Sequence, residues 1–168
     1  MMMDTKGKAS GKKINWLHLL GFMFGVMVIG SLAGIANAGN ITTWYATLEK
    51  PPFNPPNSLF GPVWTVLYAL MGVGIYLVWK SPDSPQRKKA IQVFIVQLVL
   101  NFCWSFIFFY FHLIGWAAIE IVLLLGMIIW MILIFRRVDK LAAYLQLPYL
   151  LWVSFATLLN VSIWWLNR

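Results

Sequence analysis

Two short sets of residues carry side chains that could hold a flat ligand. Gln97, Asn101, Trp104 and Ser105 recur at i, i+4, i+7 and i+8, and Tyr149, Trp152, Ala156 and Asn160 recur at i, i+3, i+7 and i+11. On a helix each set falls on one face. Amides and hydroxyls interleaved with indoles offer hydrogen bonds at an edge and π faces for stacking. The same pattern also has a plain structural use, since Asn and Gln on membrane helices bond to neighbouring helices for about 1 kcal/mol. Either use requires the two faces to meet.

Other chemistries find little support. Cys103 is the single cysteine, which excludes an intramolecular disulfide and a multi-cysteine metal site and reads as a small apolar filler. His18 and His112 fall at opposite ends of apolar runs, so the pair does not form a bis-histidine metal centre within one chain, and no metal site is expected. Glu120 is the one ionisable residue well inside an apolar run. A single carboxylate makes a poor coupling device for a pump; it can snorkel, bond a neighbouring helix or touch a ligand. No serine, histidine and carboxylate constellation and no phosphate loop is present, and no cofactor is required.

The elements that must position these residues follow from composition. Hydrophobic residues make up 61% of 168 positions and charged ones 11%, with a mean hydropathy of +0.75, whereas soluble domains carry about 45 to 50% and about 25%. Five runs reach the roughly 20 residues that a bilayer core demands: 16–37, 59–79, 90–111, 113–135 and 141–166. Backbone groups in lipid must bond internally, so each run is a helix. The expected fold is an all-α integral membrane protein, a five-helix transmembrane bundle forming one domain over 16–168 behind a basic cytoplasmic tail, 1–15. The first run ends in "ANA" at Ala36 to Ala38 like a signal peptide, but it is too long for one and is read as a retained span.

Eleven of the thirteen Lys and Arg lie on one side of these spans: Lys6, Lys8, Lys12, Lys13, Lys80, Arg87, Lys88, Lys89, Arg136, Arg137 and Lys140, against Lys50 and Arg168. The bias predicts a cytoplasmic N-terminus, with the C-terminus and the first loop on the opposite face. It also explains the net charge of +8 through topology and anionic lipid, with no nucleic-acid partner. Gly21 and Gly25, then Gly30 and Gly34, repeat the G-x-x-x-G spacing that lets another helix approach, in this chain or in a second copy.

Ten tryptophans outnumber what aromatic belts need. Trp16, Trp79, Trp116, Trp130, Trp164 and Trp165 fall near span ends. Trp64, Trp104 and Trp152 lie deeper, roughly 7 Å, roughly 10 Å and near mid-membrane by helical rise, where a pocket opening outward would lie. Above them stands a loop with prolines at 51, 52, 55 and 56, which fix φ and remove donors. With Trp44, Tyr45, Lys50 and Phe53 it forms a stiff aromatic lid suited to a flat apolar ligand with an acidic edge.

The stretches "WYATLEKPPFNPP", "GPVWTVLYALMGVG", "QLVLNFCWSFIFF" and "PYLLWVSFATLLN" closely resemble successive motifs of the TspO/MBR family, the translocator proteins and tryptophan-rich sensory proteins, from about Trp16 to the C-terminus. The resemblance implies five helices around a pocket under the first loop, porphyrins such as protoporphyrin IX and other tetrapyrroles as ligands, and a homodimer. By matching motif it places Trp44, Tyr45, Lys50 and Pro51 over the pocket, Trp64 on the second helix, Asn101 and Trp104 on the third, and Trp152, Ala156 and Asn160 on the fifth. It also implies that Trp64 and Trp152 are catalytic if porphyrin is degraded in light. Sensing, sequestration or transport is the leading function, light-dependent degradation the alternative, and a bundle without a specific ligand the third. Animal members carry a tyrosine-containing sterol pattern near the end of the fifth helix. Here the matching run is "LLNVSIWWLNR", without that tyrosine, which lowers sterol as a partner beside ordinary membrane lipid. The resemblance is to a bacterial-type member, expected in the bacterial cell membrane.

Overall fold

The structure, a computed structural model, describes residues 14–168. The expected tail and its lysines at 6, 8, 12 and 13 therefore lie outside the described residues, apart from 14 and 15. Seven α-helices follow in chain order: α1 (Trp16–Thr42), α2 (Trp44–Thr47), α3 (Asn57–Lys80), α4 (Pro85–Ser105), α5 (Ile114–Val138), α6 (Lys140–Tyr144) and α7 (Leu147–Leu166). Among the described residues, five helical segments are long and apolar enough to cross a membrane, with α4 extended to Tyr110 and α6 joined to α7. No strand occurs among the described residues. The chain is an all-α, multi-pass membrane protein.

Local chemistry sets the ends. Asn15 caps α1 by accepting from His18 N–H at 3.2 Å, and its own N–H donates to Tyr76 Oη at 2.9 Å, tying the start of α1 to α3. Ser84 caps α4 from Arg87 N–H at 3.1 Å ahead of Pro85, where the missing donor costs nothing. Asp139 caps α6 from Ala142 N–H at 2.8 Å.

Two spans depart from uniform helix. The third does not run as α-helix to 111: Phe106–Tyr110 is a π-helical turn, closed by Phe111 N–H on Phe106 O at 2.9 Å, and His112 follows in the left-handed region at φ 58°. The wider turn re-aims an all-aromatic run, burying Phe108 at 2% exposure while Tyr110 and Phe111 face outward. The fifth span breaks at Leu145 and Gln146. Pro148 lacks the N–H that would reach Tyr144, and its ring crowds that carbonyl.

Helix α1 lies along α3, and α5 packs against both α4 and α7. A Cβ at Gly30 would overlap the Tyr68 ring and one at Gly72 the Met23 backbone, so α1 and α3 meet at one glycine from each. Gly21, Gly25 and Gly34 have nothing within 4 Å; of the two G-x-x-x-G pairs, only Gly30 makes a close helix contact within the chain. The larger core holds Met71, Ile75, Phe94, Leu124, Ile128, Met131 and Phe135 on the side of the basic loops. A smaller one beneath the proline loop holds Tyr45, Phe108, Ala117, Leu159 and Ile163.

Candidate ligand-binding cavity

The two polar stripes meet. Tyr68 donates to Asn101 Oδ1 at 2.7 Å, Asn101 Nδ2 donates to Tyr149 Oη at 3.1 Å, and Tyr149 donates to Gln97 Oε1 at 3.0 Å. Each hydrogen in this chain has one acceptor, which fixes the Asn101 amide and joins α3, α4 and α7. Nearer the loop, Trp104 Nε1 donates to Asn160 Oδ1 at 3.1 Å, and Asn160 Nδ2 reaches Ile114 O at 3.3 Å.

Between this floor and the proline loop lies a cavity of about 400 Å³, within the roughly 300 to 1,000 Å³ typical of small-molecule sites. Its walls are aromatic. Trp64 stacks on Tyr68 at 5.3 Å and 26°, and Trp152 meets Phe60 at 5.8 Å and 73°. Trp104 stacks on Phe108 at 5.4 Å and 22°. Tyr45, Phe108, Leu159 and Ile163 close the side toward the loop. The α1 and α3 walls include the exposed Ser31, Gly34, Gly61 and Thr65, so the cavity also opens sideways between these two helices. No Lys, Arg, Asp or Glu is among the lining residues.

The loop is held down. Tyr45 donates to Asn54 Oδ1 at 2.8 Å, and burial pushes its phenol up to about 12, which keeps that donor protonated. Asn54 N–H closes a turn on Pro51 O at 2.9 Å. Asn167 clips the loop to the end of α7, its Oδ1 accepting from Glu49 N–H at 3.0 Å and its Nδ2 donating to Glu49 O at 2.9 Å.

Tyr45, Trp64, Asn101, Trp104, Trp152, Ala156 and Asn160 all line this one cavity. The other three residues that the resemblance places at the pocket do not. Trp44 stacks on His112 at 4.1 Å and 17°. Lys50 Nζ donates to Leu48 O at 2.9 Å and to Ala46 O at 3.3 Å, 5.0 Å from the centre of the Tyr45 ring, and Pro51 is buried in the loop turn. The ammonium thus braces the lid from outside the cavity.

Tyr68, Asn37, Phe60 and Phe108 are among the lining residues that went unread in the sequence. Tyr68 sits one turn beyond Trp64 and could have been found by that spacing. Asn37 is a polar residue at 1% exposure inside an apolar run, its Nδ2 donating to Ala33 O at 2.8 Å and to Ser105 Oγ at 3.0 Å; a buried polar residue in a span was its signal. Phe60 and Phe108 gave none, the latter because the π turn decides where it points. Glu120 neither snorkels nor pairs: it is 8% exposed, has no hydrogen-bond partner for either oxygen and is absent from the cavity lining.

A family model described as the TspO/MBR family matches residues 22–166. The chain is 39% identical over 156 residues to the tryptophan-rich protein TspO of Archaeoglobus fulgidus, covering 92% of this chain and 99% of that one. It is 37% identical over 152 residues to the translocator protein of Homo sapiens, covering 89% of each. It is 39% identical over 151 residues to the tryptophan-rich protein TspO of Chlorobaculum tepidum, covering 84% and 94%.

Proposed function

This chain belongs to the TspO/MBR family, and from that premise we propose that it is a membrane-embedded receptor for porphyrins and related tetrapyrroles, protoporphyrin IX among them, which it holds under the first loop for sensing, sequestration or transport. The observation that carries this reading is the meeting of Trp64, Trp104 and Trp152 around one uncharged cavity. Indole faces gain offset stacking with a flat conjugated ring, and apolar walls accept its body. The carboxylates of such a ligand have no cationic partner among the lining residues and belong at the opening, in contact with water or headgroups. The sideways opening between α1 and α3 suits a ligand dissolved in the bilayer.

Titrating protoporphyrin IX into the purified chain in the dark tests the reading. Saturable quenching of tryptophan emission is the expected result, and its absence would leave a bundle without a specific ligand. A second reading, light-dependent porphyrin degradation, is favoured by Trp64 and Trp152 lining the same cavity. Its mark is loss of the porphyrin absorption band on illumination that disappears in Trp64→Phe and Trp152→Phe, because a benzyl ring is harder to oxidise than indole.

The same reading places the proline loop and the C-terminus outside a bacterial-type cell membrane and the basic loops in the cytoplasm. A cysteine at Asn57 should then react with an impermeant reagent added to intact cells and one at Asp83 should not; reversed labelling would overturn the orientation. Pairing of two copies is part of the proposal. Gly21 and Gly25 leave room beside α1 for a second helix.

A further inference from the structure

The outer faces of α5 and α7 form a second hollow, of about 780 Å³, that shares no lining residue with the aromatic cavity. Its floor is Gly115 and Ala118, and Ile119 and Val122 flank it along α5. A Cβ at Gly115 would stand 3.0 Å from Trp164 Nε1, so the Trp164 indole leans over the glycine and turns the helix surface into a groove. Its polar lining residues, His112, Asn167 and Arg168, cluster at one end. From Ile114 to Val122 the apolar stretch runs roughly 12 Å by helical rise, close to the roughly 15 Å depth of one leaflet. Length and polarity match one lipid chain below one headgroup.

Charge selects the headgroup. Arg168 lies with its guanidinium carbon 3.1 Å from the Trp165 ring centre, and no acid lines the groove. Glu49, exposed, is clipped to Asn167 at this end by its backbone, and the cation Lys50 directly follows it. Guanidinium groups bind phosphate oxygens through two parallel hydrogen bonds. We infer that the groove between α5 and α7 binds one anionic phospholipid, its phosphate on Arg168 beside His112 and one acyl chain lying over Gly115 and Ala118.

Native mass spectrometry of the full chain, released from micelles doped with phosphatidylglycerol, phosphatidylcholine or a sterol, tests this directly. The parent should retain one phosphatidylglycerol in preference to phosphatidylcholine. Arg168→Gln should lose that preference by roughly tenfold, the size of one charged hydrogen-bond pair. Ile119→Trp, at a position 57% exposed and therefore harmless to the core, should fill the groove and lower retention of every lipid. Protoporphyrin affinity, read on the same samples by porphyrin emission polarisation, should be unchanged in both variants. Equal retention of the two phospholipids, retention unaffected by either variant, or a sterol held in place of phosphatidylglycerol would each overturn the inference, whatever becomes of porphyrin binding.

Discussion

Toward the basic loops, Met71, Ile128, Met131 and Phe135 are completely buried in one core, whereas toward the proline loop the bundle encloses about 400 Å³ of space. Helices α3 and α4 contribute to both halves, but α5 does not: its Leu124, Ile128, Met131 and Phe135 fill the solid half. No α5 residue is among those lining the cavity, which α1, α3, α4 and α7 surround. The Tyr68, Asn101, Tyr149 and Gln97 chain lies at the boundary. Burying polar groups in a membrane core costs unless each is paired, and here pairing fixes three helices at the depth where packing stops. The solid half holds the scaffold in register so that the hollow half can stay open.

A pair of substitutions should separate the halves most strongly. Met131→Ala, in the solid half, should lower stability by about 3 kcal/mol and leave the affinity of the folded fraction unchanged. Ala156→Trp, in the hollow half, should do the reverse, keeping thermal stability in detergent while weakening protoporphyrin binding by roughly a hundredfold, as expected when the space itself is filled. If Met131→Ala weakened binding as much as it weakened the fold, the two halves would not be independent.

Breaking the boundary comes next. Asn101→Leu leaves the Tyr68 hydroxyl without its acceptor and the Tyr149 hydroxyl without its donor. It should cost about 1 to 2 kcal/mol in thermal denaturation with a much smaller change in affinity of the protein that remains folded. An equal loss in both would make Asn101 a ligand contact and move the boundary into the site.

The smallest effect concerns the lid. Changing Pro51, Pro52, Pro55 and Pro56 together to Ala should speed porphyrin release roughly fivefold, more than it slows uptake, because a loop ordered in advance gives up less entropy on binding. Stopped-flow dissociation reads this. Off-rates equal to the parent would reduce the loop to a connector, and the clip from Asn167 to Glu49 would then carry its rigidity.

The solid half and the hollow half were not equally legible in the sequence. Length and hydropathy give the five spans, because lipid leaves the backbone no other choice, and the amide and indole spacings bring α4 and α7 together at Asn101, Trp104, Tyr149 and Asn160. The break before Pro148 was readable from the missing donor, although the fifth run was expected to be continuous. The π turn after Ser105 was not, since nothing in an aromatic run says which residue will be the extra one, and with it went Phe108. Lys50 and Trp44 were placed over the pocket by matching motif, and a loop position does not fix where a long side chain ends. The ammonium has found two carbonyls, Leu48 O and Ala46 O, and the indole has found His112.

The central claim, that the hollow half is a stacking site and not merely an unfilled gap, is tested most directly by the affinity of Trp152→Leu for protoporphyrin IX. Porphyrin emission polarisation is the suitable readout, because removing an indole does not change its baseline. Loss of the stacking face and of part of the buried apolar surface should weaken binding by roughly tenfold in a folded, monodisperse preparation, with Trp152→Phe falling between the variant and the parent. Binding by Trp152→Leu as tight as that of the parent would contradict it.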